Sequence, residues 1–153
     1  MKARPTMYRG IQMRSRLEAD FAQFLDRPAG NGRWTWTYEP RCFAGQSGQY
    51  LPDFGVEFTG DSPTIFIEVK PRNFPITQVD PLLRRMMVVW DSEPTTHIEL
   101  SLWSYGDRDS SALVYRGDDG IWYWHEHDHS WMWPGMGQLE AAHSGALVPA
   151  GVN

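Results

Sequence analysis

The sequence predicts an α/β protein, and three observations support this. Apolar residues recur at helical spacing from Leu17 to Leu25. Apolar and polar residues alternate over RWTWTYEP, residues 33–40, as in a strand. A second helical segment, LLRRMMVVW, residues 82–90, follows three predicted strands. The predicted order is therefore helix, three strands, helix, strand, with a strand-rich segment behind it.

Each predicted element has a start or stop signal. Ser15 is a plausible N-cap of the first helix. The second strand is expected near Tyr50 to Phe58 and the third is TIFIEVK, residues 64–70; the turn TGDSP separates them, so the two should pair as a hairpin. Asp80 and Pro81 fit the N-cap and first position of the second helix, and HIELSLWSY alternates as a fourth strand.

Length and composition indicate one domain. The chain has 153 residues, 41% of them hydrophobic, which allows an ordinary core. We assign residues 1–104 to the core with a basic N-terminal lead-in, residues 105–140 to a Trp- and His-rich β-strand extension of the same domain, and residues 141–153 to a flexible tail.

Cys42, the single cysteine, is expected to be reduced and packed. No apolar run suits a membrane span or a signal peptide, so we expect a cytoplasmic protein.

The charge is unevenly distributed along the chain. The net charge of −5 argues against a protein that coats nucleic acid without specificity. Residues 1–41 carry +4, however, and residues 42–153 carry −9, so the N-terminal part can form a local basic patch. Twelve of the 14 basic residues are arginines, which suit bidentate phosphate contacts, although a compositional bias of the genome would give the same count.

The predicted hairpin carries acidic residues where a buried strand would not place them. Pro52 removes a ladder hydrogen bond, which indicates that Asp53 lies at a bend or an edge. Glu68 and Lys70 share one face of the third strand, because successive side chains alternate. If the hairpin turns near Gly60, Asp53 and Glu68 are about equidistant from the turn, and their carboxylates converge across neighbouring strands.

Two converging carboxylates repel unless a positive group lies between them. A hard divalent cation fits, since Mg²⁺ prefers one or two carboxylates, waters and phosphate oxygens, and the backbone carbonyl of Val69 is a further candidate ligand. Lys70 beside the ion would position or deprotonate an attacking water, or stabilise charge on a phosphate. The alternative is a surface ion pair and an ordinary Pro-Asp turn. We favour the metal site because both patterns fall on paired strands.

These residues resemble the PD-(D/E)XK nuclease superfamily, with Pro52-Asp53 as the first half of the motif and Glu68-Val69-Lys70 as the second. The series RSRLEADFAQFLD, WTYEP, YLPDF and IFIEVKP is similar to small phage and bacterial members. These are the endonuclease-I-type Holliday-junction resolvases and the transposon-encoded end-cleaving nucleases. The resemblance covers about residues 8–90.

The resemblance implies a restriction-endonuclease-like core, α-β-β-β-α-β, with a mixed central sheet flanked by helices. In it Asp53 and Glu68 bind Mg²⁺, or Mn²⁺ in its place, and Lys70 assists the water. Glu18 matches a first-helix glutamate that in this family helps to bind or orient a metal. Ser15 and Glu18 also fit a capping box, in which Glu18 bonds back to the N-cap amide. We favour the metal role, so the expected catalytic residues are Glu18, Asp53, Glu68 and Lys70.

Similar proteins contact the DNA backbone through basic residues near the first helix and on the helix after the third strand. Arg14, Arg16, Arg84 and Arg85 occupy such places here. For each of them a solvated helix face is an equal alternative. The acidic balance of this chain departs from the strongly basic resolvases.

The segment after the fourth strand is rich in tryptophan and histidine. Three histidines would face one side of a continuous strand and could bind a transition metal, but an exposed hairpin connection is the preferred interpretation; they are His125, His127 and His129. Four tryptophans would stack on unpaired bases or, in the preferred interpretation, pack an added sheet or a dimer contact; they are Trp122, Trp124, Trp131 and Trp133.

The sequence thus predicts a Mg²⁺-dependent deoxyribonuclease that, as the resemblance implies, leaves 5′-phosphate and 3′-hydroxyl ends. A branched-DNA or Holliday-junction resolvase is the first choice, and a nuclease directed to its site by a partner protein is the second. Expected partners are DNA, a second copy of the chain and such a directing protein, with no membrane. The alternative is a catalytically silent nuclease fold that binds DNA or serves as a structural subunit of a phage or mobile-element assembly.

Overall fold

A computed structural model describes residues 3–26, 34–46, 48–60, 64–94 and 96–103, and the backbone of three strands within residues 111–147. The helices are α1 (Arg16–Leu25), α2 (Val79–Met86) and α3 (Val89–Ser92), with a 3₁₀ turn at Ile76–Gln78. The strands are β1 (Thr6–Tyr8), β2 (Ile11–Met13), β3 (Trp34–Tyr38), β4 (Phe43–Gly45), β5 (Gly48–Tyr50), β6 (Phe54–Phe58), β7 (Ile65–Pro71), β8 (His97–Trp103), β9 (Ser111–Arg116), β10 (Trp122–His127) and β11 (His143–Leu147).

The main sheet has seven strands in the order β11-β10-β9-β8-β7-β6-β3. The β7–β8 pair is parallel and the other pairs are antiparallel, so the chain is a mixed α/β protein with a mixed sheet and few helices, as predicted. The predicted hairpin is confirmed, since Phe54 lies opposite Ile67 and Val56 opposite Ile65. The main-sheet strands and the two longer helices occur along the chain as α1, β3, β6, β7, α2 and β8. This is the predicted order of helix, three strands, helix, strand.

The sheet separates two hydrophobic clusters because the side chains of its strands alternate between faces. On one face, Phe21 and its neighbours on α1 pack against Phe54 of β6 and Ile67 of β7. On the other face, α2 and α3 pack against Phe66 of β7 and Leu100 of β8. Because the strands β7 and β8 supply both clusters, they are buried on both faces, which is typical of parallel pairs.

Tryptophan side chains fix α1 to the sheet by hydrogen bonds as well as by packing. The Trp34 indole donates to the Leu25 carbonyl (3.0 Å), and the Trp36 indole donates to Asp26 (2.8 Å). The Trp103 indole donates to Asp20 (2.7 Å). Buried indoles need such partners. The position of α1, and hence of its first turn, is thereby tied to both β3 and β8.

The N-terminal lead-in, expected only as a basic segment, contains a hairpin. Strands β1 and β2 pair with Tyr8 opposite Ile11, and the two residues between them, Arg9 (φ 48°) and Gly10 (φ 77°), have positive φ. A two-residue turn of this kind matches the twist of the strands it joins. The hairpin brings the chain to Arg14, directly before α1.

Three local expectations need correction. The predicted second strand is interrupted: Tyr50 ends β5, Pro52 and Asp53 are outside any strand, and β6 begins at Phe54. The loop RCFAGQSGQ contains the hairpin β4–β5 instead. The helix α2 begins before Asp80, which lies in its first turn rather than at the N-cap, because that carboxylate accepts a hydrogen bond from Arg84 (2.7 Å).

The C-terminal strands extend the main sheet. Strand β10 includes His125 and His127, so the expected hairpin connection does not begin until after residue 127. His129, Trp131 and Trp133 lie outside the described residues. Strand β11 pairs with β10 inside the segment that the sequence predicts as a flexible tail. Among the described residues, no helix has the length and apolar character to cross a membrane.

Candidate active site

The candidate residues of the sequence meet in a cleft of about 440 Å³. Its walls come from the start of α1, the end of β5, the break before β6, the strand β7 and the helix α2. Glu18, Asp53, Glu68 and Lys70 all line it. The β6–β7 hairpin brings Asp53 to Glu68 and Lys70. The packing of α1 against the sheet brings Glu18 to them.

Asp53 is at the bend that Pro52 was expected to produce, and it is almost completely buried. Its Oδ2 accepts the backbone amide of Val69 (2.8 Å), and its Oδ1 accepts Arg14 Nη2 (3.0 Å). The break in the strand leaves the Val69 amide without a backbone partner on β6, and the carboxylate takes that place. Asp53 is therefore fixed by the strand that carries Glu68.

Glu68 and Lys70 project side by side from β7, as the alternation predicts. Lys70 Nζ lies 3.2 Å from Glu68 Oε1. Tyr50 donates its hydroxyl to the other oxygen, Glu68 Oε2 (2.9 Å). Glu68 is buried, whereas the Lys70 side chain is 31% exposed and so reaches the open part of the cleft.

Glu18 combines helix capping with a place in the cleft. Ser15 is the N-cap and its hydroxyl accepts the Glu18 amide (3.1 Å), as predicted. In a capping box Glu18 would accept the amide of Ser15 itself. Here Glu18 Oε2 accepts the amide of Arg14 (3.2 Å), one residue before the N-cap. The same oxygen accepts the Tyr38 hydroxyl (2.6 Å). The capping and cleft-lining roles therefore coexist.

The four candidate arginines separate into two pairs. Arg14 and Arg85 line the cleft. Arg16 is exposed in the first turn of α1, and Arg84 forms an ion pair with Asp80 on α2, so neither lines the cleft. Proximity to the carboxylates distinguishes Arg14 and Arg85 from the others in a way that sequence position does not.

Two tyrosines and a glutamate at the site were not anticipated from the sequence. Tyr50 and Tyr38 hold Glu68 and Glu18, as described above, and Glu39 accepts Arg14 Nε (2.7 Å). Tyr38 ends the alternating segment WTWTY, and Tyr50 lies three residues before Asp53. No sequence motif around Tyr38 or Tyr50 identifies a hydroxyl donor. The fold alone directs their hydroxyls at the carboxylates.

Burial and like charge dominate the electrostatics of the cleft. Burial raises the pKa of Asp53 well above its ordinary 3.8, and the charges of Glu68 and Glu18 raise it further; the Val69 amide and Lys70 act in the opposite direction. A carboxylate in this state favours a proton or another positive group beside it.

The tyrosine hydroxyls remain protonated donors at neutral pH. Burial and the hydrogen bond to Glu18 raise the pKa of Tyr38 to about 12. Burial, and then the charge of Glu68, raises the pKa of Tyr50 well above its ordinary 10. Both tyrosines therefore donate to the carboxylates throughout the physiological range.

Within the segments that the structure describes, no three His, Cys, Asp or Glu side chains converge as a ready metal-binding group. The oxygen donors of the cleft instead have cationic partners, Arg14 on Asp53 and Lys70 on Glu68. Cys42 is exposed, not packed as expected. His125 and His127 lie on strand β10, not in the hairpin connection that the sequence favours, and their side chains are outside the described part, so metal binding by them stays a prediction.

Comparisons of the chain with protein-family models, with curated proteins and with solved structures find no match. The function proposed below therefore depends on the residues of the cleft and on the motif resemblance in the sequence.

Proposed function

We propose that the chain is a metal-dependent DNA endonuclease with a PD-(D/E)XK-type active site on a restriction-endonuclease-like core. The observation that supports this most is the meeting of Asp53, Glu68 and Lys70 in one cleft, with both carboxylates buried and the lysine partly exposed. Burying two carboxylates together costs free energy, and such a cost is typical of a functional site that requires them.

The donor set suits Mg²⁺ or Mn²⁺. Asp53 and Glu68 offer hard carboxylate oxygens, and Glu18 lies close enough for its charge to affect Asp53. The N–H and C=O of one strand residue point to the same side, so the carbonyl of Val69 is directed with its amide toward Asp53. A bound divalent cation would supply charge stabilisation at the phosphate and a more acidic water.

The residues around the carboxylates have roles that need no further group. Tyr50 and Tyr38 fix the orientation of Glu68 and Glu18 through hydroxyls that stay protonated. Lys70 extends from Glu68 into the open cleft, where its ammonium would orient the attacking water and donate a hydrogen bond to a phosphate oxygen. The expected products, by resemblance, are 5′-phosphate and 3′-hydroxyl ends.

DNA is the proposed partner, and the cleft-lining arginines are the proposed contacts. Arg14 and Arg85 line the cleft and would contact the phosphates beside the scissile bond. Arg16 and Arg84 lie outside the cleft and would contact phosphates farther along the strand. Cutting both strands of a branched substrate would require two sites, so a homodimer or a directing protein partner is part of the proposal.

The test is cleavage of a small panel of DNA by wild type and Lys70→Ala in Mg²⁺, Mn²⁺ and EDTA. The panel comprises linear duplex, single strand, fork and four-way junction. We expect metal-dependent cutting that falls by roughly 100-fold or more in Lys70→Ala. Glu57→Gln is the matched control, because Glu57 is an exposed carboxylate on β6, outside the cleft, and its variant should cut as wild type does.

The panel also separates the alternatives. Preference for the four-way junction would support a resolvase, and equal cutting would support a less selective enzyme. If a folded protein binds the panel but cuts no member in either metal, the endonuclease proposal is wrong as stated and a silent DNA-binding fold replaces it.

A further inference from the structure

The two oxygens of Asp53 have partners of different kinds. Oδ2 accepts the Val69 amide, which belongs to a strand paired on both sides and cannot withdraw without breaking the sheet. Oδ1 accepts the guanidinium of Arg14, whose side chain is 59% exposed while that of Asp53 is 2% exposed. A cation that approaches from the cleft therefore meets an Asp53 oxygen already held by a partly exposed, positively charged side chain.

The guanidinium has a second acceptor built into the fold. Arg14 Nε lies 2.7 Å from Glu39 Oε1. Glu39 has φ 45°, an uncommon value for a residue with a side chain, and its amide donates to the carbonyl of Asp53 (2.8 Å). The backbone that carries Asp53 thus also places the glutamate that holds Arg14 at the rim of the cleft.

The backbone of Arg14 is held independently of its side chain. Its amide donates to the Tyr38 hydroxyl (2.9 Å) and to Glu18 Oε2 (3.2 Å). When the guanidinium leaves Asp53, the residue stays beside the first turn of α1. Its side chain then remains within reach of the cleft and has lost one of its two ion pairs.

We propose that Arg14 is a resident counter-ion that competes with a divalent cation for Asp53 and, once displaced, contacts a phosphate of the DNA. This inference rests on the proposed function, because it requires a divalent cation on Asp53. It links the two binding events: the ion releases the arginine, and the released arginine favours DNA. The chain would then hold DNA in this cleft most strongly when the ion is present.

A purely structural role for the Arg14–Asp53 ion pair would have the opposite effect on metal affinity. If Arg14 only braced Asp53 in position, removing it would loosen the carboxylate and weaken metal binding. If Arg14 competes, removing it exposes Oδ1 and strengthens metal binding. The sign of the change in metal affinity therefore distinguishes the two.

The first experiment is calorimetric titration of wild type and Arg14→Gln with MnCl₂, without DNA. We expect the Mn²⁺ dissociation constant to fall roughly five- to tenfold in Arg14→Gln, the scale of one partly exposed ion pair. Arg41→Gln is the matched control, since the Arg41 side chain is 50% exposed, close to the 59% of Arg14, and pairs with Glu93 outside the cleft. It should bind Mn²⁺ as wild type does.

Two further measurements report on the Arg14 side chain: its NMR resonance and its contribution to DNA binding. The Nε resonance of Arg14, identified by its loss in Arg14→Gln, should shift on titration with Mg²⁺. In a Lys70→Ala background, which prevents cutting, Arg14→Gln should weaken duplex binding by roughly three- to tenfold in Mg²⁺ and by much less in EDTA. Fluorescence anisotropy of a labelled duplex measures this difference.

Equal or weaker Mn²⁺ binding by folded Arg14→Gln would overturn the counter-ion role and leave the endonuclease proposal standing. An equal loss of DNA affinity with and without Mg²⁺ would also overturn it, because the contact would not depend on the ion. If wild type binds no Mn²⁺, both proposals are wrong.

Discussion

Burial and the neighbouring charges of Glu68 and Glu18 disfavour the charged form of Asp53. The Val69 amide, Lys70 and Arg14 partly offset this. A buried charge with incomplete compensation lowers the stability of the folded state. The metal-free protein should therefore show this cost in its pH dependence.

We predict that Asp53→Asn removes part of the loss of stability with rising pH. Burial and the neighbouring charges of Glu68 and Glu18 raise the pKa of Asp53 in the folded state, so that state binds the proton more tightly than the unfolded state does. The free energy of unfolding must then fall as pH rises from about 4 through the raised pKa. The asparagine cannot lose a proton, so its variant should show a smaller decline in urea unfolding between pH 4 and 8, in EDTA.

Glu57→Gln serves as the control for this prediction, because Glu57 is exposed on the same strand. Its unfolding should follow the wild-type pH dependence. A decline of the same size in Asp53→Asn and wild type would show that Asp53 does not titrate as described. Adding Mn²⁺ should reduce the decline in wild type and have little effect on Asp53→Asn, which lacks the proposed metal ligand.

Tyr50 gives a second prediction at the residue scale. Tyr50→Phe removes the donor to Glu68 Oε2 and leaves a buried carboxylate oxygen without it. Such a loss costs about 2 kcal/mol, measurable by urea unfolding. Tyr8→Phe, which removes a hydroxyl from the less buried Asp26 (2.6 Å), should cost less. Equal costs would show that the Tyr50 bond contributes no more to stability than the part-buried Tyr8 bond.

At the scale of elements, β6 connects the site to the aromatic core. Phe54 follows Asp53 directly and is completely buried. Its ring lies 5.4 Å from Phe21, 5.7 Å from Trp36 and 5.5 Å from Tyr38, between centroids. The position of Asp53 therefore depends on the packing of its neighbour against α1 and β3.

Phe54→Ala is predicted to cost about 4 kcal/mol in the free energy of unfolding, since it leaves a large cavity among these rings. Met7→Ala, at a side chain 61% exposed, should change it by less than about 0.5 kcal/mol. Urea unfolding measures both. Phe54→Leu, a smaller change, keeps the prediction testable if the alanine variant does not fold. A leucine variant as stable as wild type would contradict the importance of this ring.

At the scale of the whole molecule, the sheet is most stable where it is covered on both faces. Strands β7 and β8 are central in the order of strands and contribute to both hydrophobic clusters. The hairpin β1–β2 is a separate two-stranded sheet whose side chains are exposed or partly buried, except for Met13, which is buried in the core. The site thus combines residues of the rigid centre, on β7, with Arg14 at the end of the outer hairpin.

Native-state hydrogen exchange should show this gradient. We predict the slowest exchange at buried central positions, including the amides of Ile67 and Leu100, and faster exchange in β1 and β2. Mass spectrometry or NMR measures it. Uniform protection of β1 and β7 would contradict a rigid centre with a more labile outer hairpin.

Local sequence patterns predicted many of the helices and strands. The alternation in WTWTY and IFIEVK, the helical spacing from Leu17 to Leu25 and the turn TGDSP correctly indicated β3, β7, α1 and the β6–β7 hairpin. The short hairpins β1–β2 and β4–β5 were missed, because three-residue strands have too few positions to show a period. The start of α2 was misplaced because Asp80 bonds Arg84 within the helix instead of capping it.

The sequence by itself determined the types of elements and the convergence of Asp53, Glu68 and Lys70, since a period of two and a hairpin turn fix which side chains share a face. Only the tertiary structure decided which groups contact these carboxylates: Tyr50, Tyr38 and Arg14 come from elements whose spacing along the chain says nothing about their distance in space. Contacts between elements depend on how whole layers pack, and that information is absent from any single segment.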